Sequence, residues 1–293
     1  MGVRAVEFFS GVGGWRYALG TLGEVVAAYD ISPHANRVYS HNHGESPRER
    51  EIASLPLEEV EAHGTDLWLM SPPCQPTCRM GNGLDLEDAR SRAFIHLMGA
   101  MRTLRPSAVV LENVAGFLGS GSHRLFLESA GASGLQVTSF LGCPTGMGIP
   151  NQRPRLYLLA SRRAAVLPPL PDSTPRPLSD FLDEGEDPGL YLPPEVLARH
   201  RGGMDLVEPA DRRSSCFIGG YGQKFVGGGS FLSTSLGIRR FAPTEIAALL
   251  GFPGRFSFPA ETPRSSRYKL LGNSLSVTMA SWVLDAWWGS ITH

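Results

Sequence analysis

The first half of the chain alternates short apolar runs with polar turns that contain glycine or proline. Apolar runs that predict buried strands lie at 3–9, 24–29, 66–70, 107–111 and 154–160. Between such runs, the segments 33–42 and 93–103 are predicted to be helical. Strands that alternate with helices at this spacing favour a mostly parallel sheet with helices on both faces. We therefore predict an α/β fold for this half.

The pattern changes after residue 161. Prolines crowd the segment 164–194, and glycine and serine dominate 202–237, which indicates an irregular, partly β segment. Helical periodicity returns at 243–250 and at 273–288. We predict two domains. The larger comprises 1–161 together with 265–293, and a small, mostly irregular and β domain comprises 162–264.

Composition and charge exclude several classes of protein. Of 293 residues, 42% are apolar, and 27 basic against 28 acidic side chains give a net charge of −1, so a polyanion would have to bind to local patches. With 34 glycines and 23 prolines the chain is not a helical bundle. We find no membrane-length apolar run, no signal-peptide pattern and no disulfide framework among the four cysteines, and therefore expect a cytoplasmic protein.

A glycine-rich turn follows the first predicted strand. Gly11, Gly13 and Gly14 precede a helix, and Asp30 ends the second strand about 20 residues later. A carboxylate at that place can accept hydrogen bonds from ribose hydroxyls, and the GVGG spacing suits a nucleoside with a small tail, such as S-adenosylmethionine. A purely structural turn remains the alternative.

Polar residues lie beside three other predicted strands. Cys74 lies in the proline-rich segment SPPCQP, where a thiolate could act as a nucleophile, although a motif of this kind taken alone more often contains a buried structural cysteine. Glu112 and Asn113 follow the run 107–111, and Glu112 could protonate a heterocycle or simply cap a helix. Because alternate residues on a strand point to one face, we predict that the side chains of Asn151, Arg153 and Arg155 project together, where they could bind a phosphate and a base carbonyl, or face solvent.

In this order, the segments FFSGVGG, PPCQP, LENV, NQRPR, TEIAALLGFP and LLGNSLSV resemble the cytosine carbon-5 methyltransferases. The resemblance spans nearly the whole chain and implies a Rossmann-like sheet that uses S-adenosylmethionine and releases S-adenosylhomocysteine. It implies that Cys74 attacks carbon 6 of cytosine and that Glu112 assists at ring nitrogen 3. It also implies that Arg155 contacts the base carbonyl, with Arg153 near a phosphate.

The resemblance also implies two larger sets of binding residues. The residues expected around the cofactor are Phe9, Val12, Gly13, Gly14, Asp30, Glu51, Ile52, Ser71, Pro73, Asn273 and Ser274. The residues expected around the substrate are Arg79, Asn113, Asn151, Arg212, Arg213, Cys216, Phe217 and Tyr221. No metal is expected, because His41 and His43 have no cysteine or acidic partner at ligand spacing.

Within the family the chain is most similar to the DNA methyltransferase 2 type, whose members methylate cytosine 38 of aspartate tRNA. The segments RRSSCFIGGYG and RYKLLGNSLSVT carry this likeness, and Ile218, Thr77 and Cys78 depart from the subfamily pattern. We expect a monomeric tRNA cytosine-5 methyltransferase, with a DNA methyltransferase that has a minimal recognition domain as the alternative. A catalytically silent nucleic-acid-binding relative is a third possibility, against which Cys74, Glu112 and Arg155 argue. Clustered arginines predict a basic face around Cys74.

Overall fold

The computed structural model describes residues 2–73, 86, 88 and 91–292. Its strands are β1 (Val3–Phe8), β2 (Gly23–Tyr29), β3 (Leu67–Met70), β4 (Ala108–Val114), β5 (Gln136–Gly142), β6 (Arg155–Ser161), β7 (Asp205–Val207), β8 (Ser230–Thr234) and β9 (Gly237–Arg240). Its α-helices are α1 (Gly14–Leu19), α2 (Pro33–His43), α3 (Leu57–Glu61), α4 (Arg92–Leu104), α5 (Gly121–Ala132), α6 (Pro194–His200), α7 (Pro243–Leu249), α8 (Arg264–Gly272) and α9 (Val277–Thr292).

A six-stranded sheet forms the first of two compact units, which comprises Met1–Gly142, Pro154–Pro168 and Ala280–His293. The strand order is β2-β1-β3-β4-β6-β5. The first four strands in this order are parallel, and β6 runs antiparallel to both β4 and β5. The α/β fold and its parallel-rich sheet are therefore confirmed.

Apolar side chains on the inner strands form the core of this unit. Every residue of β3 is buried, as are the first six of the seven residues of β4, which is why these strands are continuous apolar runs in the sequence. The Phe8 ring stacks on Tyr29 at 5.6 Å between centroids and meets Trp68 edge-on at 5.3 Å. Three rings, one from each of β1, β2 and β3, thus pack together.

The carboxyl ends of β1, β3 and β4 share one edge of the sheet, because the three strands are parallel. The glycine-rich turn follows β1, Ser71 and the prolines after it follow β3, and Glu112 lies near the end of β4. Loops at this edge are where ligands bind in α/β sheets. The fold therefore gathers three of the predicted functional segments at one edge.

The second unit comprises Cys143–Arg153 and Pro169–Met279. It contains a three-stranded sheet in the order β7-β8-β9, together with α6, α7 and α8. The Tyr221 ring is fully buried there, with centroids 5.0 Å from Phe217 and 5.2 Å from Tyr268. The boundaries drawn from the sequence at 161 and 265 remain a prediction.

The terminal helix begins later than its periodicity suggests. Helix α8 ends at Gly272, and α9 begins only at Val277, whose N–H donates to the Leu250 carbonyl at 2.7 Å. The predicted helix at 273–288 thus includes the turn between two helices. No α-helix in the described part of the chain has both the length and the apolarity required to cross a membrane.

Candidate active site

Asp30 fixes the glycine-rich turn after β1. Its carboxylate accepts hydrogen bonds from the N–H of Gly11 and the N–H of Ser32, each at 2.8 Å. Burial raises the pKa of this carboxyl, although the two N–H groups lower it. The carboxylate therefore holds the turn and the start of α2 together, and its remaining lone pairs can accept hydrogen bonds from hydroxyl groups.

The turn fits a nucleoside cofactor at Ser10 and Gly11. Ser10 Oγ is buried and has no hydrogen-bond partner among the described residues, and a Cβ added at Gly11 would meet open space. Gly13 serves packing instead, because a Cβ there would lie 2.4 Å from His43 Nε2 on α2. The site thus combines a half-buried carboxylate, a hydroxyl without a partner among the described residues and open space beside the backbone, a combination that suits a ribose-bearing ligand.

The segment that leads to the predicted nucleophile is held at two points. The indole Nε1 of Trp15 donates to Ser71 Oγ at 2.9 Å, and Asn113 Nδ2 donates to the Pro72 carbonyl at 3.1 Å. Trp15 and Asn113 are both buried, at 1% and 3% exposure. Cys74 and Arg79 lie outside the described residues, as do Thr77 and Cys78.

Glu112 and Arg155 form a shielded ion pair on neighbouring strands. Arg155 Nε lies 3.2 Å from Glu112 Oε1, and their side chains are 13% and 8% exposed. Antiparallel pairing of β4 with β6 sets this distance, because Val114 faces Arg155 two residues beyond Glu112. The pair presents an acid and a guanidinium together, which can bind and protonate a heterocyclic base.

Arg153 lies in the second unit and holds its backbone together. Although only 2% exposed, its guanidinium donates to the carbonyls of Phe217 and Gly272, each at 3.1 Å, and to that of Ser274. Strand β6 begins only at Arg155, so the alternation of side chains along a strand does not extend to Arg153. Two arginines that are adjacent in the motif therefore have different surroundings.

Asn151 likewise bonds within the second unit. Its Nδ2 donates to Ser214 Oγ at 3.1 Å and to the Ser215 carbonyl at 3.2 Å. Asp205 accepts from Arg213 and from the Ser215 and Ser230 hydroxyls. Burial raises the pKa of Asp205, but these hydrogen bonds outweigh burial and lower it overall.

The other predicted substrate residues divide by exposure. Arg212 is exposed and donates to the Pro175 carbonyl at 2.7 Å, and Cys216 is half-buried. Phe217 and Tyr221 are buried, and the Tyr221 hydroxyl donates to the Ser230 carbonyl at 2.7 Å. The two aromatic rings therefore belong to the packed interior of the second unit.

The remaining predicted cofactor residues have mixed surroundings. In the first unit Val12, Gly14 and Ile52 are buried, Phe9 is half-buried, and Glu51 and Pro73 are exposed. Phe9 has a φ of 56°, unusual for a side chain of this size and typical of a constrained turn. In the second unit Asn273 is exposed and Ser274 half-buried. Their contacts with a cofactor remain predictions.

Sequence reasoning missed two buried residues beneath the turn. Glu7 is fully buried, and burial raises its pKa to about 8, while the hydroxyl of Tyr39 at 3.3 Å from Oε2 and a backbone hydrogen bond from Trp15 lower it. A lone acid within the apolar run VRAVEFF was the available signal for Glu7. No local sequence signal indicated the role of Trp15, because its hydrogen-bond partner Ser71 is 56 residues away along the chain.

Comparisons with known proteins find relatives that match nearly the whole chain. The model of the C-5 cytosine-specific DNA methylase family matches residues 3–182 and 212–287. The tRNA (cytosine(38)-C(5))-methyltransferase of Homo sapiens is 31% identical, over 94% of this chain and 96% of its own length. The DNA (cytosine-5)-methyltransferase of Dictyostelium discoideum is 27% identical, over 96% of this chain and 93% of its own length.

A solved structure extends the comparison to the fold. The S. pombe Dnmt2 methyltransferase superposes with a TM-score of 0.89 at 28% identity, covering 99% of this chain and 100% of that one. The family model, the relatives and the sheet with its three convergent loops all indicate the same chemistry. The chain therefore belongs to the C-5 cytosine methyltransferase family and is an S-adenosylmethionine-dependent methyltransferase.

Proposed function

We propose that this enzyme methylates carbon 5 of a cytosine in tRNA through a covalent bond between Cys74 and carbon 6 of the base. The observation that supports this reaction best is the shielded pair of Glu112 and Arg155, with Nε and Oε1 at 3.2 Å. Asn113, the neighbour of Glu112, holds the Pro72 carbonyl two residues before Cys74. The acid and the nucleophile thus come from adjoining segments.

Each residue of the pair has a distinct task. Addition of the Cys74 thiolate to carbon 6 becomes favourable when the Glu112 carboxyl donates its proton to ring nitrogen 3, because carbon 5 then has enamine character. Arg155 holds the base carbonyl and keeps Glu112 in place. Once carbon 5 carries the methyl group, it loses its proton to a base. Elimination of the Cys74 thiolate then restores the aromatic ring, and the nitrogen-3 proton returns to Glu112.

The turn after β1 is proposed to hold S-adenosylmethionine. Asp30 would accept hydrogen bonds from the ribose hydroxyls, and Ser10 Oγ would gain the partner that it lacks within the described residues. When bound there, S-adenosylmethionine supplies the methyl group. Ser71, held by Trp15, begins the segment that joins this site to Cys74.

Relatives with tRNA activity support tRNA as the substrate. The human relative is named for cytosine 38, and the chain matches it over nearly all of its length. The segment 162–264 is proposed to bind the tRNA, because it is shorter than a domain that reads duplex DNA. Arg212 and Arg213 are exposed at its surface. A loop base is already partly unstacked, so extruding it costs less than in a duplex. We further propose aspartate tRNA as the species and a monomer as the active form.

A labelled-methyl assay tests this proposal. Aspartate tRNA transcript, the same transcript with cytosine 38 changed to uridine, and duplex DNA are each incubated with enzyme and labelled S-adenosylmethionine. We expect incorporation into the first transcript alone, and a Cys74→Ala variant that binds tRNA without methylating it. Full activity of Cys74→Ala would refute the covalent mechanism.

DNA is the second candidate substrate. The Dictyostelium relative named as a DNA methyltransferase supports it, at 27% identity over nearly the whole chain. Incorporation into DNA and not into tRNA in the same assay would establish this alternative. Incorporation into both would be resolved by comparing kcat/KM for the two nucleic acids.

A further inference from the structure

A cavity of about 450 Å³ lies at the edge of the main sheet where β1 and β4 begin. Val3 and Ala108, the first residues of these strands, contribute to its wall. Glu112 lies four residues further along β4, about 13 Å away at the usual rise of a strand. The cavity is therefore separate from the edge that carries the proposed chemistry, and all of its lining residues belong to the first unit.

Two adjacent tryptophans near the end of α9 form one wall. The ring centroids of Trp287 and Trp288 are 5.9 Å apart with a 53° angle between the planes. Trp287 is 3% exposed, and its Nε1 is buried without a hydrogen-bond partner among the described residues. This wall thus offers aromatic surface, chiefly from Trp288, which is half-buried.

Charged groups of both signs lie around the cavity. The Arg162 guanidinium is already hydrogen-bonded within the protein, since it donates to the carbonyls of Ser133 and Arg105 at 2.7 and 3.1 Å. The neighbouring Arg163 is exposed, and no other described residue pairs with its guanidinium. The Asp66 carboxylate also lines the cavity, and among the described residues its Oδ2 accepts only the N–H of Arg4, at 3.3 Å.

We propose that this cavity binds a guanine nucleotide that carries a terminal phosphate. Its volume falls within the range of about 300–1,000 Å³ found for small-molecule sites. An exposed guanidinium suits the phosphate, and tryptophan faces suit a nucleobase. Among the common bases, guanine alone presents two adjacent N–H donors, N1–H and the 2-amino group, which match the acceptor-only carboxylate of Asp66.

Calorimetric titration with guanosine monophosphate tests the proposal on the full chain. The cofactor site is first saturated with S-adenosylhomocysteine, so that the nucleotide cannot bind there. We expect binding to the wild-type protein and affinity at least about tenfold weaker for Arg163→Glu and for Trp288→Leu. Asp66→Asn should remove any preference for guanosine over adenosine monophosphate. Arg199→Glu, on α6, is the matched control, because Arg199 is also exposed and does not line the cavity.

A second arm distinguishes a free nucleotide from the end of an RNA chain. A short single-stranded RNA with a 5′-phosphorylated guanosine that competes with the monophosphate assigns the site to RNA ends, and failure to compete assigns it to free nucleotides. Equal affinity of wild type and Arg163→Glu, or no heat of binding from folded wild-type protein, would overturn the proposal. Thermal unfolding of each variant separates loss of binding from loss of fold.

Discussion

The indole Nε1 of Trp15 donates a hydrogen bond to the hydroxyl of Ser71 across 2.9 Å. Trp15 lies in the first turn of α1, directly after the glycine-rich turn, and Ser71 lies three residues before Cys74. The backbone N–H of Trp15 also reaches the buried carboxyl of Glu7. One side chain therefore links the proposed cofactor turn to the proposed nucleophile segment.

Replacing Trp15 by phenylalanine removes the donor and keeps an aromatic ring. A neutral hydrogen bond contributes about 0.5–1.5 kcal/mol, so we expect kcat for methyl transfer to fall about 2- to 13-fold as the segment loses its fixed position. Steady-state kinetics with tRNA measures the change. Trp282→Phe, on α9 against Phe140 at 5.1 Å, is the matched control, and an equal loss in both variants would contradict a positioning role.

The sequence predicted the inner strands because burial on both faces leaves continuous apolar runs, as in β3 and β4. Strand β5 was not predicted, because it is an edge strand whose residues are mostly half-buried or exposed and therefore do not form a continuous apolar run. The antiparallel direction of β6 is set by its pairing with β4 and β5, which no local pattern encodes.

The candidate site likewise contains residues that the sequence predicted and residues whose role it could not predict. Glu112 and Asp30 were predictable because each is a polar residue at the end of an apolar strand. The hydrogen bonds of Arg153 to backbone carbonyls could not be predicted, because those carbonyls lie 64 to 121 residues away along the chain. Only folding brings such partners together.

Arg153 and Arg155 should respond differently to the same substitution. In Arg153→Met, three backbone carbonyls lose a charged donor in a nearly fully buried place, and we expect a loss of about 2–4 kcal/mol in the free energy of unfolding. In Arg155→Met, the Glu112 carboxylate loses its partner, and we expect activity to fall at least about a hundredfold.

Urea unfolding and methylation assays on both variants check this pair of expectations. Lower stability in Arg153→Met than in Arg155→Met, together with near-complete loss of activity in Arg155→Met, is the expected result. If Arg155→Met kept wild-type activity, Arg155 would not contact the base.

Gly251 and Gly254 offer a matched test of packing in the second unit. Gly251 has a φ of +80°, and a Cβ there would lie 2.1 Å from Thr278 Oγ1 and 3.0 Å from the Thr278 nitrogen, at the start of α9. A Cβ at Gly254 meets nothing within 4 Å. We expect Gly251→Ala to destabilise by more than about 2 kcal/mol, because backbone strain and the clash add, and Gly254→Ala to change stability by less than about 1 kcal/mol.

Denaturant midpoints for the two alanine variants measure this difference. Similar midpoints would mean that the turn before α9 moves to accommodate the methyl group, and would contradict the close approach of Gly251 to Thr278.

The buried acid Glu7 should make stability depend on pH. Burial raises its pKa to about 8 from an ordinary value of 4.5, so the folded protein holds a proton here that the unfolded chain releases. The stability that Glu7 contributes by binding this proton is fully present below its pKa in the unfolded chain. It is lost as the pH rises through its pKa in the folded protein. Between about pH 5 and pH 8 it lowers the free energy of unfolding by up to about 1.4 kcal/mol per pH unit.

Glu7→Gln isolates this effect, because the amide cannot ionise and its oxygen still accepts from the Tyr39 hydroxyl. We expect the variant to become progressively more stable than wild type as the pH rises through this window, as measured by urea unfolding at several pH values. Glu24→Gln, whose side chain is 65% exposed beside Arg4, should leave the slope unchanged. Parallel stability profiles for wild type and Glu7→Gln would mean that Glu7 is charged in the folded protein, with its charge balanced by a partner such as Arg16.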